Sequence, residues 1–157
     1  MRSLSRSFRL SRTLLPALLA LAGCTDATGP DDAAALLEHN RSVWSGAGIT
    51  SYRYTITRAC ECTPESAGPV TVEVRNGLVV DRRYESGAAV SPQYSEVFTT
   101  VPGLFDIIQE AVTLPAASLS VRYNQDYGYP ESIAIDWVAG AVDDEVSYRV
   151  GSFNVFR

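Results

Sequence analysis

The chain has 157 residues, with 13 Arg, no Lys and 18 acidic residues, and its formal net charge is −5. This acidic balance excludes binding to nucleic acid through a basic surface and disfavours flat binding to anionic lipid. A single His makes a His-based catalytic triad unfavourable.

The first 23 residues predict a secretory signal peptide. Four Arg lie among the first twelve residues, and an apolar segment, LLPALLALA at 14–22, follows them. That segment is too short to stay in a bilayer as a spanning helix. It ends in Leu21-Ala22-Gly23-Cys24, which resembles the lipobox of bacterial lipoproteins. The resemblance implies cleavage before Cys24 and lipid attachment to its thiol. The alternative is an ordinary signal peptide cut near Ala22.

We expect a lipidated Cys24 to be the contact between this chain and a membrane, since several acyl chains anchor a protein firmly. Residues 24–32 then form the lipidated Cys and a short, polar, acidic tether, and residues 33–157 form a single domain. Loss of the signal removes four Arg and no acid, which leaves a net charge of −9. The predicted location is the bacterial cell envelope, periplasmic or on the outer surface.

The first half of the domain predicts one helix and three strands. Pro30-Asp31-Asp32 is a helix start, and the helix places Leu37 and Trp44 on one face, with Gly46 and Gly48 at its end. Residues 51–59, SYRYTITRA, and 70–75, VTVEVR, alternate with period two, and Asn76-Gly77 is a hairpin-turn signal. The third strand is LVVDRRY at 78–84, in which Leu78 and Val80 are the expected inward pair.

The second half repeats the order with a helix and three strands. The helix begins near Pro102, ends before Pro115 and has one apolar stripe between them. Three alternating segments follow, LSVRY, SIAIDW and EVSYRVGSFNVF, and Gly151 predicts a bulge in the last. The predicted fold class is α+β. Its sheet has about six antiparallel strands with two helices on one face, in the order α-β-β-β-α-β-β-β.

Cys60 and Cys62 are separated by one residue, and three interpretations of the pair stay open. A structural disulfide is favoured, because two Cys remain in an oxidising compartment once Cys24 is lipidated. In a straight strand such side chains lie too far apart to bond, so the backbone has to turn near Thr63-Pro64. Thiolate binding of Cu(I) or Zn is a weaker alternative, since His39 is the only His. Redox exchange is the third, without the usual Cys-x-x-Cys spacing.

Two further motifs have a structural and a functional interpretation. Tyr123 and Tyr127 precede a Gly-Tyr-Pro sequence that contains Tyr129, and the three rings could form an aromatic binding lip. A turn leading into a strand is the favoured interpretation. The acids at 143–145 could bind calcium weakly, but a solvated hairpin tip is favoured.

Four segments together resemble a family of small bacterial lipoproteins and secreted proteins that carry a domain of unknown function. They are SYRYTITRACEC, VTVEVRNG, LFDIIQEA and VRYNQDYGYPESIAIDW, and the resemblance extends from about Trp44 to Phe156. It implies an envelope location and an intact fold. It brings no activity that could be assigned to a residue.

These observations predict a non-enzymatic, lipid-anchored envelope protein whose domain binds an unknown envelope protein or a small ligand. No cofactor is expected. The alternative is a protein that handles metal or exchanges thiols through Cys60 and Cys62. No Gly-x-Ser-x-Gly sequence and no paired acid and nucleophile occur in the chain to suggest a hydrolase.

Overall fold

The computed structural model describes residues 30–156, and the expected signal peptide, Cys24 and most of the tether lie outside them. Three helices and six strands form the domain. The helices are α1 (Pro30–Ala47), the short α2 (Pro64–Ala67) and α3 (Val101–Thr113), and a 3-10 turn spans Pro92–Tyr94. The strands are β1 (Tyr52–Ala59), β2 (Val70–Arg75), β3 (Leu78–Tyr84), β4 (Ser118–Tyr123), β5 (Pro130–Asp136) and β6 (Val146–Val155).

The six strands form one antiparallel sheet in the order β3-β2-β1-β6-β5-β4. Each half of the chain contributes three consecutive strands, and the halves join where β1 pairs with β6. The α+β class, the strand number and the order of the long elements are confirmed. Apart from α2 and the 3-10 turn, which were not predicted, the elements follow the sequence periodicity.

The two long helices lie on one face of the sheet, where the core forms. α1 contacts α3 and β4, and α3 contacts β5. Alternate side chains of β1 and β2 are fully buried under them: Tyr52, Tyr54, Ile56, Val70, Val72 and Val74. From α3 the buried set is Val101, Leu104, Phe105, Ile108 and Ala111. The period-2 and period-3.6 patterns therefore meet in one hydrophobic core.

The inward pair predicted for β3 is wrong. Leu78 is 71% exposed and Val80 57% exposed, whereas Val79 packs against the core. The two-residue turn at Asn76-Gly77, in which both residues have positive φ, sets Val79 opposite the buried Val74. Residues directly opposite each other share a face of the sheet, so Val79 must point inward. A bulge at Val80 then shifts the register.

Two other boundaries follow from backbone conformation. Gly48, with φ of +62°, follows the end of α1, so that prediction is confirmed, whereas Gly46 lies inside the helix. The β1–β6 register shifts between Arg53 and Thr55, opposite the segment after Gly151, which confirms the bulge predicted there. Among residues 30–156, no helix has the length and hydropathy needed to cross a membrane.

Candidate functional site

The Cys60 and Cys62 side chains are in close contact just beyond the end of β1. Their Cα atoms are 5.3 Å apart, within the range that a disulfide spans. The backbone leaves the strand here, and the Cys62 N–H donates to the Cys60 carbonyl oxygen at 2.9 Å. A straight strand would hold the two Cys side chains too far apart, and this tight turn brings them into contact.

A cavity of about 480 Å³ lies beside this turn, and we call it the acidic pocket. Its lining includes Cys60 and four carboxylates, from Glu61, Asp136, Asp143 and Glu145. Within the part of the chain that the structure describes, no three His, Cys, Asp or Glu side chains are grouped so that they could hold a metal ion.

Asp144, in the middle of the acidic run at 143–145, has a structural contact. One of its carboxylate oxygens, Oδ2, accepts a hydrogen bond from the Val138 N–H at 2.6 Å, which closes the loop between β5 and β6. Asp143 has φ of +75°, as expected for a residue at a tight turn. The geometry of this run is that of a hairpin connection.

The three tyrosines of the expected binding lip lie in different environments. Tyr129 is buried and stacks on Phe153 with ring centroids 4.3 Å apart, and Tyr123 is half-buried and stacks on Phe105. Tyr127 is 40% exposed. The structure therefore uses two of the three rings for packing and leaves Tyr127 on the surface.

Gly128 explains the Gly-Tyr-Pro sequence. Its φ is +74°, and a Cβ atom built on it would lie 2.7 Å from the Asn40 carbonyl oxygen of α1. Glycine is thus required both for the backbone conformation and for the close approach of this loop to the helix. Pro130 begins β5, and its side chain is buried.

A second cavity, of about 370 Å³, lies between the C-terminal half of α1, the start of α3 and the β2–β3 turn. We call it the aromatic pocket, because Trp44, Tyr52 and Phe105 form its walls. Its other lining residues are Arg41, Ser45, Gly48, Ile49, Thr50, Gly77 and Pro102. Its volume is within the range typical of small-molecule sites, about 300–1,000 Å³.

Buried hydroxyl groups fix the wall of the aromatic pocket at α3. The Tyr52 hydroxyl oxygen accepts a hydrogen bond from the Val101 N–H at 2.9 Å, at the first turn of α3. The Tyr54 hydroxyl donates to the Thr99 carbonyl oxygen, and Arg82 Nε donates to the Phe98 carbonyl oxygen at 2.6 Å. The segment entering α3 is therefore bound to β1 and β3.

Burial strengthens the preference of both tyrosines for the neutral phenol, because it disfavours the phenolate. Burial raises the pKa of Tyr52 to about 12, although the hydrogen bond from Val101 lowers it in part. The pKa of Tyr54 is raised further, mainly by burial and then by its proximity to Tyr52. These hydroxyls have a structural role, since each already has a backbone partner.

Among residues 30–156, Arg41 is the only charged residue that lines the aromatic pocket. Its guanidinium carbon lies 5.7 Å from the centroid of the Phe105 ring, a cation–π distance. Its Nη2 atom is 3.3 Å from Asp106 Oδ1, so the two groups form an ion pair. The same Nη2 atom is shielded from solvent and makes no hydrogen bond with the described residues.

Sequence analysis did not predict the aromatic pocket. Leu37 and Trp44 were expected on one face of the first helix, but a shared face does not reveal a cavity. One signal was present: Arg41 and Trp44 are three residues apart on a predicted helix, so their side chains lie on the same side.

The chain belongs to a family of unknown function, since the family model described as "Family of unknown function (DUF6174)" matches residues 36–155. This confirms the resemblance to a domain of unknown function, whereas its lipoprotein part stays a prediction. A search of curated proteins and a search of solved structures each found no match to the chain.

Proposed function

We propose that this member of the family is an exported, lipid-anchored protein of the bacterial cell envelope, whose folded domain is a binding module and not an enzyme. The anchor is inferred from Leu21-Ala22-Gly23-Cys24 at the end of the apolar segment. The contact between Cys60 and Cys62 is consistent with export, because a disulfide persists in an oxidising compartment.

The observation that carries the binding role is the aromatic pocket. It is a concave site of about 370 Å³ with Trp44, Tyr52 and Phe105 as apolar walls. Ligand sites are commonly apolar cavities with a few polar groups that orient the ligand. Here Arg41, Ser45 and Thr50 are such groups.

The alternative function is thiol exchange at Cys60 and Cys62, and one observation favours it. Cys60 lines the acidic pocket, so a partner that enters this cavity could reach the sulfur atom. Metal binding by the two thiolates is the weaker form of the same alternative, since a closed Zn site needs about four ligands.

The anchor is tested by labelling full-length protein with radioactive palmitate in a bacterial host. We expect wild type to incorporate the label and Cys24→Ser to incorporate none. Cys60→Ser is the matched control, since it also removes one thiol but should keep the label. Unlabelled wild-type protein would refute the lipid anchor.

The state of the Cys pair is tested by intact mass after treatment with a thiol-alkylating reagent. We expect no alkylation of Cys60 and Cys62 until reductant is added, as for a disulfide within one chain. Alkylation that requires a chelator in place of reductant would make metal handling the leading function.

The binding role is tested by recovering the full-length protein from membranes with whatever it holds. A bound protein or small molecule that is lost when the aromatic pocket is blocked by Ser45→Trp supports the proposal. Stoichiometric metal with no partner and no organic ligand would contradict it.

A further inference from the structure

We propose that the aromatic pocket binds a small organic anion, a carboxylate on an apolar aromatic or aliphatic body, and that Arg41 holds the carboxylate. This inference rests on the proposed binding function and names the chemical class of its ligand.

The lining of the aromatic pocket favours an anion with an apolar body. Trp44, Tyr52 and Phe105 form the buried part of its lining, at 7%, 1% and 1% exposure, and the partly exposed Ile49 and exposed Pro102 add apolar surface that a ligand can contact. No carboxylate lies among the lining residues, and Arg41 supplies the single charge. A cation would be repelled by that charge, and a neutral apolar molecule would gain no charge–charge attraction from it.

Arg41 lies at the pocket with N–H donors that can bind a carboxylate. Its guanidinium carbon lies 5.7 Å from the centroid of the Phe105 ring, which places the charge beside the cavity. Its Nη2 atom is shielded from solvent beside Asp106, but the Arg41 side chain as a whole is 38% exposed, so its other N–H donors are open to a ligand. A guanidinium presents its N–H donors as a planar fork that matches the two oxygens of a carboxylate.

Asp106 is the competitor for Arg41. Its side chain is 71% exposed, and a solvent-exposed ion pair contributes little to stability. A ligand carboxylate inside the pocket would meet less water than Asp106 does, so it can replace this partner. The competition predicts that removal of the Asp106 charge strengthens ligand binding.

The backbone donors at the start of α3 already have partners, so this helix end does not compete with Arg41 for an anion. The Val101 N–H donates to the Tyr52 hydroxyl, and the Gly103 N–H donates to Thr100 Oγ1 at 3.2 Å, so the first turn of α3 is satisfied. Exposed residues Ser45 and Thr50 place hydroxyl groups at the mouth, where they can contact a second polar group of the ligand.

The acidic pocket provides the internal contrast. Its four carboxylates repel an anion, although its volume of about 480 Å³ is larger. The size of a ligand therefore does not decide which of the two cavities it enters, whereas its charge does. A carboxylate should bind at one site per chain.

The test is isothermal titration of the full chain, in lipid nanodiscs, with 3-phenylpropionate and with octanoate, against empty nanodiscs. Each acid is compared with its own neutral amide. We expect saturable binding of the acids at one site and binding of the amides at least about tenfold weaker, as loss of a charge-assisted hydrogen bond implies.

Three variants assign the effect to Arg41. Arg41→Gln should weaken binding of the acids about tenfold or more and leave the amides unchanged. Asp106→Asn should tighten binding by up to about fivefold, the size of an exposed ion pair. Arg58→Gln is the matched control, since Arg58 also lies over an aromatic ring, 5.9 Å from the centroid of Tyr148, but does not line the pocket.

Failure of the charge assignment can be distinguished from failure of the proposed binding function. Equal binding of acid and amide, both blocked by Ser45→Trp, would overturn the charge assignment and leave the binding module intact. No binding of either acid, or equal losses in Arg41→Gln and Arg58→Gln, would also overturn the inference. The tighter binding expected of Asp106→Asn cannot arise from misfolding.

Discussion

The hydrogen bond between Tyr52 and Val101 predicts how the substitution Tyr52→Phe changes stability. The substitution keeps the ring, which packs edge-on against Trp44 at 5.3 Å and stacks on Phe153 at 5.4 Å. It removes the acceptor of a buried N–H, with Tyr52 only 1% exposed. An unsatisfied buried backbone donor costs about 1–3 kcal/mol, so we expect a loss of this size near neutral pH.

At alkaline pH, titration of Tyr52 should reduce the stability difference between wild type and Tyr52→Phe. The pKa of Tyr52 is about 12 in the folded protein, against 10.0 for the free side chain. Between these values the unfolded chain has lost a proton that the folded chain keeps, so the free energy of unfolding falls as pH rises. The fall approaches about 1.4 kcal/mol per pH unit for each such group. The deficit of Tyr52→Phe should therefore shrink by about that amount at roughly pH 11.

Urea unfolding at about pH 8 and about pH 11, followed by Trp fluorescence, measures both effects. Tyr127→Phe is the matched control, because its ring is 40% exposed, and it should change stability little at either pH. A Tyr52→Phe protein as stable as wild type at about pH 8 would contradict the hydrogen bond. A deficit that stays constant up to about pH 11 would contradict the raised pKa.

Two further substitutions test the backbone and the register. Gly128→Ala should lower the free energy of unfolding by about 2 kcal/mol or more, because the new Cβ meets both a positive φ and the Asn40 carbonyl oxygen. Gly140 has a similar φ of +76° but no neighbour within 4 Å, so Gly140→Ala should lower it by only about 1 kcal/mol. Equal losses by urea unfolding would refute the contact. Val79→Thr should cost about 1 kcal/mol and Val80→Thr less than about 0.5 kcal/mol, because only Val79 packs on the core. The reverse order would place Val80 inside.

The local pattern of the chain determined most of the elements. Tyr52, Tyr54 and Ile56 alternate with polar residues, and such a strand can bury only one face. The stripe from Leu104 to Val112 fixes the inner side of α3 in the same way. Because these preferences depend on residues close in sequence, they could be predicted without knowledge of the tertiary contacts.

The sequence also contained the information on which face of β3 points inward, but the alternation of its side chains taken alone gave the wrong face. Leu78, Val79 and Val80 are all apolar, so the strand has no polar partner to reveal its inward side. The Asn76-Gly77 turn pairs Val79 with Val74, and this pairing decides the face. Turn geometry therefore carries information that a single strand lacks.

The candidate sites depend on contacts between distant parts of the chain, which only the tertiary structure decides. The pairing of β1 with β6 joins Thr55 to Gly151, and the aromatic pocket combines Trp44 and Tyr52 with Phe105. A cavity is the space that side chains fail to fill, so its existence depends on how whole elements pack. The sequence by itself determined the elements, the expected anchor at Cys24 and the Cys pair. The fold decided which aromatic residues form walls and that a single Arg faces the space between them.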